Sequence, residues 1–191
     1  MRLLSLLFLI FAVNAPALAL ENAETTPAPH PAPQWFLDDI DFLTRDGGRW
    51  VASNADYQSE SEPMEAFVME WKADYANSIT GRLYGMIDGE PTQDFWRFRQ
   101  YWHPGEGKAV LEQFGIGGAF GIGSLWPEDG SNKLLQTFYA PGGGAAEQGH
   151  KATNPDADTH VTTSFDVVGD EWTERRRYTW KRDKTTTEEK S

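Results

Sequence analysis

The chain has 191 residues, 17 Lys and Arg against 29 Asp and Glu, a formal net charge of −12 and no cysteine. Without cysteine there is no disulfide framework, thiolate metal site, iron–sulfur cluster or cysteine nucleophile, and the acidic balance argues against duplex DNA or anionic lipid as the main partner. The hydrophobic share of 39% is enough for one core, and the 13% aromatic share is unusually high for it.

Residues 1–19 read as a secretory signal peptide. Arg2 is the positive start, Leu3 to Val13 is an apolar run too short to span a membrane, and Ala17-Leu18-Ala19 has the small-x-small cleavage pattern. Cleavage is expected near Ala19, which places the mature protein in the periplasm or outside a bacterial cell. Residues 20–33 are polar and rich in proline, a flexible leader in which His30 is solvated. Residues 183–191 form a charged, disordered tail, so the folded unit is expected over 34–182.

That unit opens with a helix over 34–43. Phe36, Ile40 and Leu43 form its apolar stripe, and Asp38, Asp39 and Asp41 lie off it. Asp46-Gly47-Gly48 stops the helix, and the apolar period then changes from helical spacing to two. Strands are expected over 49–57, 64–74, 78–87, 94–102, 109–116, 119–126, 133–140, 159–168 and 171–182, separated by turn residues such as Asp88-Gly89 and Gly169-Asp170. Residues 141–158, with Gly142-Gly143-Gly144 and Asn154-Pro155, read as a long mobile lid with His150 at the rim of a barrel. Short connections make the sheet an antiparallel meander. Closure into a barrel of about 8–10 strands removes its edges and gives the aromatics an interior.

Alternation then assigns faces. On the last strand Trp172, Glu174, Arg176, Tyr178 and Trp180 are expected inside, because Thr173, Arg175, Arg177, Thr179 and Lys181 belong in water. The same reading points Trp71, Phe98, Gln100, Trp102, Glu112, Phe114, Gln136, Phe138 and Phe165 inward. An aromatic lining with a few convergent polar groups describes a small-molecule pocket. The alternative is a filled core in which Glu174 and Arg176 pair with each other or with Glu112.

At this point the sequence resembles the lipocalin/calycin superfamily. The residues that carry the resemblance are Gly48-Arg49-Trp50, a Gly-x-Trp on the first strand just after a short helix, and an arginine on the last strand, Arg175, Arg176 or Arg177. The stretch from Leu111 to Gly123 is similar to a strand pair in bacterial lipocalin-like proteins of unknown function. The resemblance implies that Trp50 closes one end of the barrel under that arginine, with Gly48 and Trp50 structural, and that the barrel binds a ligand without saying which.

Enzyme motifs are sparse. Ser124 is not in a nucleophile elbow, the glycines of 115–123 do not form a dinucleotide fingerprint, and His103, His150 and His160 lack zinc spacing. Three readings result. The first is a barrel binding a small, mainly hydrophobic or aromatic molecule, with Arg176 meeting a ligand anion and Gln100 and Gln136 orienting it. The second is a barrel enzyme using Glu112 or Glu174 as acid or base. The third is a scaffold with a filled interior. No cofactor is required, and haem on one of the histidines is the cofactor alternative. Neither a nucleic-acid partner nor stable membrane insertion is expected.

Overall fold

The computed structural model describes residues 28–184. The expected signal peptide, most of the leader and all of the tail beyond Lys184 lie outside the described residues. Helix α1, Gln34–Thr44, is followed by a 3-10 turn, Arg45–Gly47. Ten strands follow: β1 Arg49–Ser53, β2 Ala66–Ala73, β3 Ser78–Ile87, β4 Glu90–His103, β5 Lys108–Gly115, β6 Phe120–Glu128, β7 Ser131–Tyr139, β8 Ala145–Asp156, β9 Thr159–Val168 and β10 Glu171–Arg182. All pair antiparallel, and β10 closes onto β1 to complete the barrel. No helix of the described residues is long and apolar enough to cross a membrane. A ten-stranded antiparallel closed barrel with one short helix is consistent with a lipocalin/calycin-like fold.

Two elements are read differently: the expected strand over 49–57 ends at Ser53, and the expected lid is largely a strand. Residues 145–156 form strand β8, paired with β7 on one side and β9 on the other. Alanine, glycine and proline give this segment low intrinsic strand preference, and two flanking ladders override it. Only the tip 140–144 turns, with Gly143 and Gly144 at positive φ.

The helix seals one end of the barrel. It buries Phe36, Asp39, Phe42 and Leu43, so Asp39 lies on the inward stripe rather than off it. Amides offset its burial: Gln100 Nε2 and Asn132 Nδ2 donate to the two carboxylate oxygens at 2.8 and 2.6 Å. Burial still pushes the carboxyl above its usual value, with the two amides pulling back. The end of the leader also holds on here, for His30 N donates to Pro104 O and Trp102 Nε1 donates to His30 O at 2.8 Å.

Trp50 and Arg182 complete the seal. Trp50 is fully buried and its indole N–H donates to Leu43 O at 3.0 Å. The arginine lying over it is Arg182, 4.0 Å from the ring centroid, not Arg175, Arg176 or Arg177. The last strand is long enough that its final residue, rather than its middle, reaches the helix end.

Candidate functional site

At the end away from the helix the barrel opens into a cavity of about 590 Å³. A drug-sized ligand needs ~300–1,000 Å³. Ten strands enclose a wider lumen than eight, and side chains alone need not fill it.

Glycines keep the lumen open. Four of them, Gly81, Gly115, Gly121 and Gly123, stand directly across from Trp71, Trp96, Phe138 and Gln136. A Cβ at Gly81 would meet the Trp71 ring at 2.7 Å, one at Gly115 the Trp96 ring at 2.6 Å, and one at Gly121 the Phe138 ring at 2.6 Å. Each ring therefore lies along the wall, over a strand with no side chain to repel it, instead of projecting to the axis.

The two halves of the wall differ in chemistry. The half built by β2, β3 and β4 is apolar, with Phe67, Met69, Trp71, Leu83 and Phe98 among its lining residues; Trp71 stacks on Phe98 at a centroid distance of 5.3 Å. The half built by β5 and β8 to β10 presents Gln113, Gln148, His150, Thr162 and Ser164. Burial holds both inner histidines neutral at pH 7, pushing His150 and His160 down to about 4. Asn154 fixes His160 through its Nδ1 at 2.7 Å. Two buried ring nitrogens have no partner among the described residues, Trp71 Nε1 and His150 Nε2; both belong to residues that line the cavity.

The mouth carries a closed polar network. Arg176 donates twice to Glu62, Nη1 and Nη2 each at 2.6 Å from a carboxylate oxygen. Arg176 also reaches Tyr178 Oη, which donates to Asn54 Oδ1 at 2.9 Å, and Asn54 Nδ2 returns to Glu62 and to Met64 O. Residues 54–65, between β1 and β2, thereby strap one side of the mouth, with Tyr57 packed against Tyr178 at 5.4 Å and under the Arg176 guanidinium. Glu62 is the partner of Arg176, and that guanidinium holds its carboxyl below the usual range. A depressed carboxyl stabilises the fold above the unfolded carboxyl range, ~4.3, and loses this as pH falls through its folded value. The melting-temperature gap between wild type and Glu62→Gln should accordingly be largest above pH 5 and close in acid. A gap that stayed constant from pH 7 to pH 3 would show that the ion pair does not hold the strap.

Trp71, Phe98, Gln100, Phe138, Arg176 and Tyr178 line the cavity as the sequence suggested. Gln136 is buried in the wall, where Gln113 Nε2 donates to its Oε1 at 2.7 Å. Trp102 lies beyond the cavity, packed on Phe36 of the helix. The other four face out. Glu112 accepts a hydrogen bond from Tyr101 Oη, Phe114 is 51% exposed, Phe165 packs on Trp172 at 5.5 Å, and Glu174 is exposed. Leu111 and Gln113 take the inward positions on β5 instead, and Thr162 and Ser164 those on β9. On β10 a bulge between Glu174 and Arg176 switches the phase, so Arg176, Tyr178 and Trp180 point in while Trp172 and Glu174 point out. Glu112 and Glu174 thus do not converge inside the barrel, and Glu174 does not pair with Arg176. The residues that the sequence reading missed are Gln113, Gln148, His150 on the inner wall and Glu62. The alternate glycines Gly121-Ile-Gly123 were the available signal for the true phase of β6.

No group of three or more His, Asp or Glu that could hold a metal ion occurs among the described residues. No protein-family model matches the chain, and no curated protein shows significant similarity to it.

Proposed function

We propose that this protein is an exported, lipocalin-like barrel that binds a small, mainly hydrophobic or aromatic molecule inside its lumen. The observation that carries the reading is the two-sided cavity: about 590 Å³, one wall aromatic and aliphatic, the other offering a few polar groups. A barrel serving only as a scaffold would fill this volume, because empty apolar space forfeits dispersion contacts. The Gly48-Arg49-Trp50 sequence under a buried Arg182 supports the lipocalin-like assignment. Export rests on Arg2, the apolar run to Val13 and Ala17-Leu18-Ala19; mass spectrometry of the protein recovered from periplasm or medium should find a new N-terminus near Leu20.

The binding test is a titration of the purified protein with fatty-acid, aromatic and haem compounds, read by tryptophan emission and melting temperature. Trp71 and Trp96 both line the lumen, so occupancy should quench emission. A ligand at 100 times its Kd should add ~2.7 kcal/mol of stability. A panel that changes neither signal sinks the proposal.

Haem is the second reading, and His150 is the reason for it. Its Nε2 is buried with no partner among the described residues, and the ring is neutral, the state in which imidazole binds iron. Hemin should then give a shifted Soret band that His150→Phe abolishes; an unshifted band removes haem.

A further inference from the structure

We propose that one sector of the barrel's rim, the outer face of β5 to β7 with the turns that join β5 to β6 and β7 to β8, docks the protein shallowly and reversibly on an electrically neutral lipid surface. This surface lies outside the lumen, and the proposal goes beyond the binding function.

The sequence sets the sector apart. In a chain that is 24% charged, residues 113–127 and 134–146 contain no Asp, Glu, Lys or Arg. Antiparallel register brings the two stretches together. Phe114, Phe120 and Tyr139 stand directly across from one another on β5, β6 and β7, at the strand ends away from the helix. Their rings form one row on the outside. Ile116, in the turn beyond β5, and Ile122, two residues along β6, extend it. Phe114, Ile116 and Tyr139 are each about half exposed. Contiguous apolar surface left in water marks an interaction site.

Three observations choose lipid over a second copy of the chain. The row is shallow. The next outward positions along the strands are Glu112, Ile122, Thr137 and Glu147, again directly across from one another. Rings set at headgroup level, where tyrosine is favoured, leave those acids in water. A stable protein interface takes roughly 20–30 residues a side, and pairing two copies here would bring their acids together at a net charge of −12 each. The turns beyond the row, with Gly117-Gly118 and Gly142-Gly143-Gly144, offer no side chains to lock into a partner, and fluid lipid demands no matching shape. The apolar surface is also continuous with the mouth. Trp96 and Phe138 line the cavity opposite Gly115 and Gly121, at this same rim.

Charge decides the kind of lipid. The rest of the mouth is edged with Asp88, Glu90, Asp170 and Glu171, and the strap adds Glu60 and Glu65. An anionic headgroup layer would repel these acids, whereas a zwitterionic one would not.

Co-sedimentation with phosphatidylcholine vesicles tests this, all proteins sharing the same termini. Wild type should bind, with an affinity that changes less than about twofold from 0.05 to 0.5 M NaCl, and phosphatidylglycerol in the vesicles should weaken it. Ile116→Glu and Tyr139→Glu should each reduce binding about tenfold. Tyr75 is still more exposed but sits in the β2–β3 turn at the helix end, so Tyr75→Glu should leave binding unchanged. Melting temperatures check that the variants fold; if either rim variant does not, the other decides, and if neither does, the salt and headgroup dependence of wild type decides. Absence of vesicle binding, tighter binding to anionic vesicles, or an equal loss in Tyr75→Glu overturns the proposal. So does a wild-type dimer that Ile116→Glu splits while no vesicle is bound, which would assign the row to a second copy. None of these outcomes touches the lumen, whose ligand titration in solution stands or falls separately.

Discussion

Replacing Arg182 with alanine should cost about 3–5 kcal/mol of stability, the range for breaking a buried, fully hydrogen-bonded charge. The side chain is 0% exposed. Its guanidinium donates to Arg45 O at 2.8 Å, Phe42 O at 2.9 Å and Ala157 O at 3.1 Å, and its Nε lies 3.3 Å from Asp158. Two of these carbonyls lie in the last turn of the helix and in its 3-10 turn, where few backbone donors remain; Arg45 O also accepts from Gly48 N. One side chain thus ties the helix, the β8–β9 turn and the Trp50 ring together, and alanine would take a donor from three carbonyls, of which Arg45 O keeps Gly48 N and Ala157 O keeps Arg45 Nη2, and uncover the indole at once. Arg182→Lys should recover less than half of the loss, since one ammonium cannot fork to three acceptors. Trp50→Ala should cost a similar 3–5 kcal/mol through the cavity it leaves. Because the two groups touch, the double variant should fall well short of the sum. Urea midpoints at constant slope measure all three. A loss below ~1 kcal/mol for Arg182→Ala would show that the helix end is not held this way.

How much of this was legible follows from which physical signals are local. Closure was readable, because alternation, short turns and abundant β-branched and aromatic residues all point to a meander that must hide its edges. Gly48 and Trp50 were readable as the start of the first strand. Strand β8 was not: Ala145-Ala-Glu-Gln-Gly-His150 carries no strand signal of its own, and its ladders come from β7 and β9. Its Gly149 is required from outside the segment, since Trp172 packs on that spot.

The site was legible where apolar means inside and illegible where it does not. On β2 and β4 the rule holds, and Trp71 and Phe98 fall on the lumen as expected. On β5, β6 and β9 it inverts. Phe114, Phe120 and Tyr139 form an outer aromatic row, with Phe114 and Phe120 centroids 5.2 Å apart and Phe120 stacked on Tyr139 at 6.3 Å. The inner positions there go to Gln113, Gly121, Gly123, Thr162 and Ser164 beside only two apolar side chains, Leu111 and Leu125. A polar inner wall is what a binding lumen needs and what a filled core avoids, so the departure from the pattern falls at the site itself. The bulge on β10 adds a phase change that no alternation rule can see, and Glu62 reaches Arg176 across 114 residues of sequence.

Gly48→Ala should be as damaging as the loss of Arg182, about 3–5 kcal/mol, although it adds a single methyl. Two costs combine. Gly48 has φ +64, a conformation that costs an L-residue ~1–2 kcal/mol. The added Cβ would also press into the carbonyl oxygen of Trp71 and lie 3.3 Å from Leu43 O. Neither neighbour can withdraw easily, because Trp71 N donates to Gly48 O at 2.8 Å and fixes the two strands at that separation. Relief requires β1 to part from β2 at Trp71, so the damage should reach the lumen: any ligand of the aromatic wall should bind more weakly to the variant even where it remains folded. Gly47 supplies the control. Its φ is +86, but a Cβ there meets nothing within 4 Å, so Gly47→Ala should cost only the conformational part, about 1–2 kcal/mol, and leave binding unchanged. Paired urea midpoints and ligand titrations of the two variants separate strain from contact. Equal losses at 47 and 48 would show that the Trp71 carbonyl is not what demands glycine at the head of the first strand.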